Sequence, residues 1–237
     1  PSFYLCSIIN KIKKKMKPKT KALIIGHTGS TGSALLDILI ASPDCESIVA
    51  IGRRENTKHK GNSKLTQYIL PNMLEISNMD INIAKDANAA FCCIGTTFND
   101  VFKSSKAEEY QNVDFGIATG FAQLAKNAGV EFFSIITGDK SDSKSRHRMT
   151  RVKGETEDLV RALKFGRTAI LRPGLLNRGD GRRGWLEQII TVGGKFGMPV
   201  AKLALAMIWM SKNQSEANVS YETVDIKRAI KQAENKI

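Results

Sequence analysis

Ala22-Leu23-Ile24-Ile25-Gly26-His27-Thr28-Gly29-Ser30-Thr31-Gly32 is the stretch that decides the fold of this chain. Four apolar residues in a row predict a short strand buried on both faces. A glycine-punctuated turn then leads into Ser30–Ala41, where Ala34, Leu35, Ile38 and Leu39 recur at helical spacing. Such a strand followed at once by an amphipathic helix is one βα unit of a parallel sheet. The alternation continues outward, with strands at Ser47–Gly52, Tyr68–Leu70 (weaker), Ala89–Gly95, Glu131–Ile136 and Thr168–Leu171. Helices are predicted over Ala107–Ala128, stopped by Gly129, and from about Thr150 to Leu163 after the polar loop Gly138–Arg148. Everything from Asn177 onward reads as helical or irregular.

This order predicts an α/β protein with a Rossmann-like doubly wound parallel sheet in three α/β/α layers, and a small helical C-terminal region for a substrate. No repeat or composition shift marks a second domain, so residues 21–237 read as one domain and residues 1–20 as a flexible basic extension. The 36 basic and 23 acidic residues give a net charge of +13, and seven lysines fall between Lys11 and Lys21. The apolar part of that segment, Phe3 to Ile9, is far shorter than the ~20 residues a transmembrane helix requires. A solvated tail accounts for the lysine run better than a lipid or nucleic-acid surface. Met16 is a candidate natural start.

Cys6, Cys45, Cys92 and Cys93 show no pairing pattern and read as reduced thiols of a cytoplasmic protein. His27, His59 and His147 are scattered, and no metal-ligand spacing occurs, so no metal is expected. The basic loop Lys144–Lys153 lacks the interleaved aromatics of a nucleic-acid surface.

The turn has the spacing GxxGxxG, not GxGxxG, but it stands where a dinucleotide site needs it. Gly26 permits the sharp turn, Gly29 lets backbone N–H groups approach a pyrophosphate, and Gly32 allows close helix packing, while the helix N-terminus attracts phosphate. The competing reading is a merely structural turn. Arg53 and Arg54 follow the second strand, where NAD-specific sites carry an acid on the ribose; guanidinium groups there suit a 2′-phosphate, so NADP is the expected cofactor.

GHTGSTG, IGRR, FCCIGTT, Asn112-Val113-Asp114, VKGETE and LRPGLL, in that order from Gly26 to Leu176, resemble the Tat-interacting-protein family of atypical short-chain dehydrogenases. The resemblance spans about Lys21 to the C-terminus and implies an NADPH-binding Rossmann domain. It implies that Gly26, Thr28, Gly29, Ser30, Thr31 and Gly32 hold the pyrophosphate and that Arg53 and Arg54 hold the 2′-phosphate. Ile94, Gly95 and Thr96 would line the ribose side, and Pro173, Gly174 and Leu175 would border the nicotinamide. Short-chain dehydrogenases transfer a proton with a tyrosine four residues before a lysine, one helical turn apart. Lys153 matches that lysine, and Thr137 matches the hydroxyl that steadies a substrate carbonyl. The tyrosine position holds Met149, and a thioether donates no proton.

Three readings follow: His147 substitutes as the acid, Tyr110 reaches in from another helix, or the protein binds NADPH without efficient turnover while Lys153 holds ribose hydroxyls. The sequence therefore points either to a weak or specialised NADP-dependent oxidoreductase on a carbonyl or hydroxyl small molecule, or to a non-catalytic NADPH-binding regulator with a protein partner. Trp185, Met198-Pro199, Trp209 and Met210 are expected over the nicotinamide end, either as an apolar substrate pocket or as plain core. At the end of the third strand, Leu70-Pro71 predicts apolar or backbone contact to an adenine.

Overall fold

A computed structural model describes residues 18–95, 107–177 and 197–235; the basic segment before residue 18, Thr96 and Trp185 lie outside them. Strand β1 (Thr20–Ile25) is an interior strand, and its side chains alternate between layers: Leu23 and Ile25 enter one apolar cluster, Ala22 and Ile24 the other. Helix α1 (Ser30–Ala41) follows, with the bounds the apolar spacing predicts. Next come β2 (Cys45–Gly52), β3 (Leu65–Ile69) and β4 (Ala89–Cys92). A continuous helical rod follows, made of α2 (Ala107–Gln111), a π-helical stretch (Asn112–Ile117) and α3 (Ala118–Asn127). Gly129, at φ +78°, stops it: the Val130 N–H reaches the Ala125 carbonyl and the Gly129 N–H reaches Lys126.

The remaining elements are β5 (Phe132–Ile136), α4 (Arg148–Ala162), β6 (Arg167–Arg172), β7 (Leu176–Asn177), β8 (Met198–Pro199), α5 (Val200–Asn213), β9 (Asn218–Glu222) and α6 (Thr223–Glu234). Among the described residues the main sheet has seven strands in the order β3-β2-β1-β4-β5-β6-β9, all parallel. This is the doubly wound α/β arrangement the alternation predicts. Helices α1, α5 and α6 cover one face through Leu35, Leu39, Leu203, Met207 and Ile226. The rod and α4 cover the other through Phe121, Leu124 and Val160.

Two expectations are corrected and one open alternative is decided. The region after Asn177 is not free of strands: β9 pairs with β6 and completes the sheet. Its sequence, NVSYE, escaped detection because an outer strand needs only two inward residues, here Val219 and Tyr221, between exposed polar ones. The fourth strand ends at Cys92, and residues 93–95 already belong to the crossover. Met210 is fully buried and Met198 nearly so, in one cluster with Leu35 and Leu39, and Trp209 packs against that cluster; these residues serve the core.

Candidate active site at the carboxyl edge of the sheet

Because the strands run parallel, their carboxyl ends lie along one edge, and the chain order reverses between β1 and β4. In doubly wound sheets that reversal opens a crevice. Its floor is Gly26, at φ +81°, where a Cβ would lie 2.7 Å from the Cys93 carbonyl oxygen and 3.0 Å from Ile94 Cγ2. At Gly32 a Cβ would stand 2.1 Å from the Gly26 oxygen, so glycine alone lets α1 rest on the turn. Helix α1 starts at Gly29, which has no side chain to cap it, and carries no acid in its first turn. Its N-terminal donors and positive dipole end thus fit an anion, and the tight glycine cradle fits a pyrophosphate laid against backbone. Thr28 is half-buried beside the exposed Gly29, and Thr31 is buried in the first turn.

His27 is completely buried and packs where Gly52 lacks a side chain; a Cβ there would lie 2.7 Å from His27 Cε1. Burial lowers its pKa, and the nearby Ile51 backbone, Gln67 side chain and Arg54 backbone offset this only in part. None of them closes a well-formed hydrogen bond to either ring nitrogen. Arg53 and Arg54 are exposed directly after Gly52, and neither guanidinium is tied to a described residue. The loop behind them is pinned. Gln67 accepts from the Asn56 N–H at 2.7 Å and donates to its carbonyl at 3.3 Å, while Lys58 (2.7 Å) and His59 (2.5 Å) hold Asp37 of α1.

At the other end of the crevice, Lys153 on α4 donates to Asp114 Oδ1 at 2.6 Å, and Gly138 abuts the lysine stem. Gly95 faces the same carboxylate. Thr137 is buried, and its hydroxyl donates to Glu157 Oε1 at 2.7 Å. Glu157 is fully buried and also receives both Arg172 Nε (2.9 Å) and Nη2 (2.5 Å), plus Arg161 (3.0 Å). Arg172 reaches on to Glu222, and the Gly174 N–H donates to Thr223 Oγ1. Pro173 is buried, whereas Gly174 and Leu175 are exposed.

Met149 stands one helical turn before Lys153. Tyr110 does reach this helix, but its hydroxyl donates to the Met149 carbonyl at 3.0 Å, and burial, then Asp114, push its pKa up. His147 is exposed at the helix start. Cys92 is buried, its thiol pKa pushed up to about 12, which suits a core residue.

Asp114, Glu157 and Arg172 were legible only as letters within the quoted motifs. The available signal was Glu157, an acid four residues after Lys153 on the same helical face, together with Arg172 ending an apolar strand. Gly154 in the same motif is explained by packing: a Cβ there would lie 2.1 Å from the Ser143 nitrogen.

The profile described as "Semialdehyde dehydrogenase, NAD binding domain" matches residues 21–116. "Protein FMP52, mitochondrial" of Meyerozyma guilliermondii is 33% identical over 168 residues, 70% of each chain. Protein HTATIP2 of Rattus norvegicus is 29% identical over 75% of this chain and 73% of its own. The chain belongs to the Tat-interacting-protein family. The match spans just under two thirds, 66%, of the two FMP52 relatives of Scheffersomyces stipitis. Family membership agrees with the structural likeness to "MoeE5 in complex with UDP-glucose and NAD", at TM-score 0.66 and 14% identity, covering 91% of this chain and 81% of that one. The UDP-glucuronic acid 4-epimerase of Bacillus cereus in complex with NAD is similar at TM-score 0.65 and 12% identity, over 86% and 78%. These matches identify an NAD(P)-binding Rossmann fold of the short-chain-dehydrogenase type. No described helix is long and apolar enough to cross a membrane.

Proposed function

We propose that this protein binds NADP(H) in the crevice and that cofactor binding, with at most slow reduction of a small carbonyl compound, is its working activity. The observation that carries this reading is the commitment of the hydroxyls. Met149 offers no proton, Thr137 donates to Glu157, and Tyr110 donates to a backbone carbonyl. Removing a general acid typically costs a factor of ~100 to 10,000, so residual turnover is low but real.

The residues that would hold the cofactor are Gly26, Thr28, Gly29, Ser30, Thr31 and Gly32 for the pyrophosphate, and Arg53 and Arg54 for the 2′-phosphate. Ile94 and Gly95, with Thr96, would flank the ribose, and Pro173, Gly174 and Leu175 the nicotinamide. When bound, the group supplies a hydride. Lys153 offers ribose hydroxyls an ammonium, and Thr137, its hydrogen engaged by Glu157, can only accept there.

Two uncommitted arginines after Gly52 support NADP over NAD. Titration of NADPH against NADH tests this: Arg53→Ala should weaken NADPH binding about tenfold or more, the value of a lost charge-assisted hydrogen bond, and leave NADH unchanged. Equal affinity of the parent for both cofactors would remove the 2′-phosphate assignment.

A second reading, an oxidoreductase for an apolar carbonyl compound protonated by solvent, draws on the exposure of Leu175 (41%) and Val224 (67%) next to the Gly174–Thr223 contact. Met149→Tyr separates the two. A rise of about 100-fold or more in NADPH oxidation against aldehydes and quinones, over a nearly silent parent, supports the first; a parent already turning over at ordinary rates supports the second. A cytoplasmic location is part of the proposal. The FMP52 relatives are named as mitochondrial, so cell fractionation decides between cytoplasm and mitochondrion.

A further inference from the structure

The helical rod is fastened to α4 at three points, two of them at Asp114 of its π-helical stretch. The Tyr110 hydroxyl donates to the Met149 carbonyl at 3.0 Å, Lys153 Nζ to Asp114 Oδ1 at 2.6 Å, and Thr156 Oγ1 to the Asp114 carbonyl at 2.8 Å. Single π-helical turns are uncommon and recur where a side chain must be aimed at a site. Here the side chain concerned is a carboxylate only 2% exposed, paired with an ammonium 15% exposed. Burying such a pair contributes little net stability, because desolvation of both ions offsets their attraction. The ammonium has three donors and one goes to Asp114; Gly138 abuts the lysine stem and Gly95 stands beside the carboxylate.

We propose that Asp114 is a positioning residue for the cofactor's nicotinamide ribose. It holds Lys153 fixed, clamped against Gly138, so that the remaining N–H donors meet the ribose hydroxyls. Asp114 itself touches no ligand. Beyond Gly95 in the proposed cofactor placement, the pair serves the nicotinamide ribose and not the phosphates, so it acts on one half of the cofactor. This inference rests on the NADP(H) reading above.

The test compares the affinity of the full-length protein for NADPH and for adenosine 2′,5′-bisphosphate, a fragment that lacks the nicotinamide ribose. Asp114→Asn should weaken NADPH about tenfold, the value of losing one charge-assisted contact, and leave the bisphosphate within twofold. Asp114→Glu, which keeps the charge, should recover part of the loss. Damage to the fold would weaken both ligands alike, so equal losses, or no loss of NADPH affinity, overturn the proposal. Should Asp114→Asn fail to fold, Thr156→Val removes the hydrogen bond that fixes the Asp114 backbone without altering charge. It should give the same split at about threefold, and equal or absent losses again refute the assignment. A parent that binds neither ligand would instead overturn the NADP(H) reading itself, and this inference with it.

Discussion

Gly29→Ala separates a phosphate cradle from a merely tight turn. Gly29 has φ −80° and ψ 169°, a conformation open to any residue, and an added Cβ would meet only the Gly26 carbonyl oxygen, at 3.3 Å. A shift of a few tenths of an ångström relieves that contact. Alanine is a poorer N-cap than glycine but lowers the entropy of the unfolded chain, so the net change in folding stability should stay within about 1 kcal/mol. The methyl group nevertheless adds bulk at the residue that precedes the first-turn N–H groups. If a pyrophosphate must approach them, one displaced charge-assisted hydrogen bond removes about 1.5–3 kcal/mol of binding, a loss of about 10- to 150-fold. Gly32→Ala is the contrasting variant. Its Cβ would sit 2.1 Å from the Gly26 oxygen and 2.7 Å from its carbon, both backbone atoms, so the helix must move by roughly an ångström and stability should fall by about 3 kcal/mol. Urea denaturation and NADPH fluorescence titration read the two quantities separately. A Gly29→Ala protein that folds normally and binds NADPH as the parent does would refute the cradle.

Glu157→Gln leaves Arg172 and Arg161 without their buried counter-charge, and unfolding free energy should drop by about 3–5 kcal/mol in denaturant; a loss under about 1 kcal/mol would show the cluster to be solvated. His27 supplies a pH dependence. Burial holds its pKa below the usual value, so the unfolded chain takes up a proton near pH 6.5 that the folded chain refuses until lower pH. Its stabilising contribution is therefore complete above about pH 6.5 and declines as the pH falls toward the folded-state value. Melting temperatures between about pH 7 and pH 5 should fall less steeply for His27→Gln than for the parent, and parallel slopes would remove His27 as the cause.

The half of the crevice built by residues 20–95 was legible because its logic is local. A strand, a glycine spacing and a helix stand next to each other in sequence, and Arg53 directly follows a strand. The other half depends on pairs far apart in the chain, Asp114 with Lys153 and Glu157 with Arg172, whose meeting is set by how the π-helical stretch docks on α4. No periodicity announces a π-helical turn: the apolar spacing of residues 107–128 is met by a continuous rod either way. Thr137 illustrates the same limit. Its residue type suits a carbonyl helper, but the hydrogen it would donate is already engaged by Glu157, a partner twenty residues away.

Strand β9 also sets an order of assembly. The adenosine end of the crevice is complete once the first four strands have paired. At the nicotinamide end, by contrast, Arg172 leans on Glu222 and Gly174 on Thr223, residues that emerge more than a hundred positions after β4. The emerging chain can thus form a phosphate site well before it can form a complete cofactor site. Ending the chain before Asn218 would leave a protein arrested at that earlier stage.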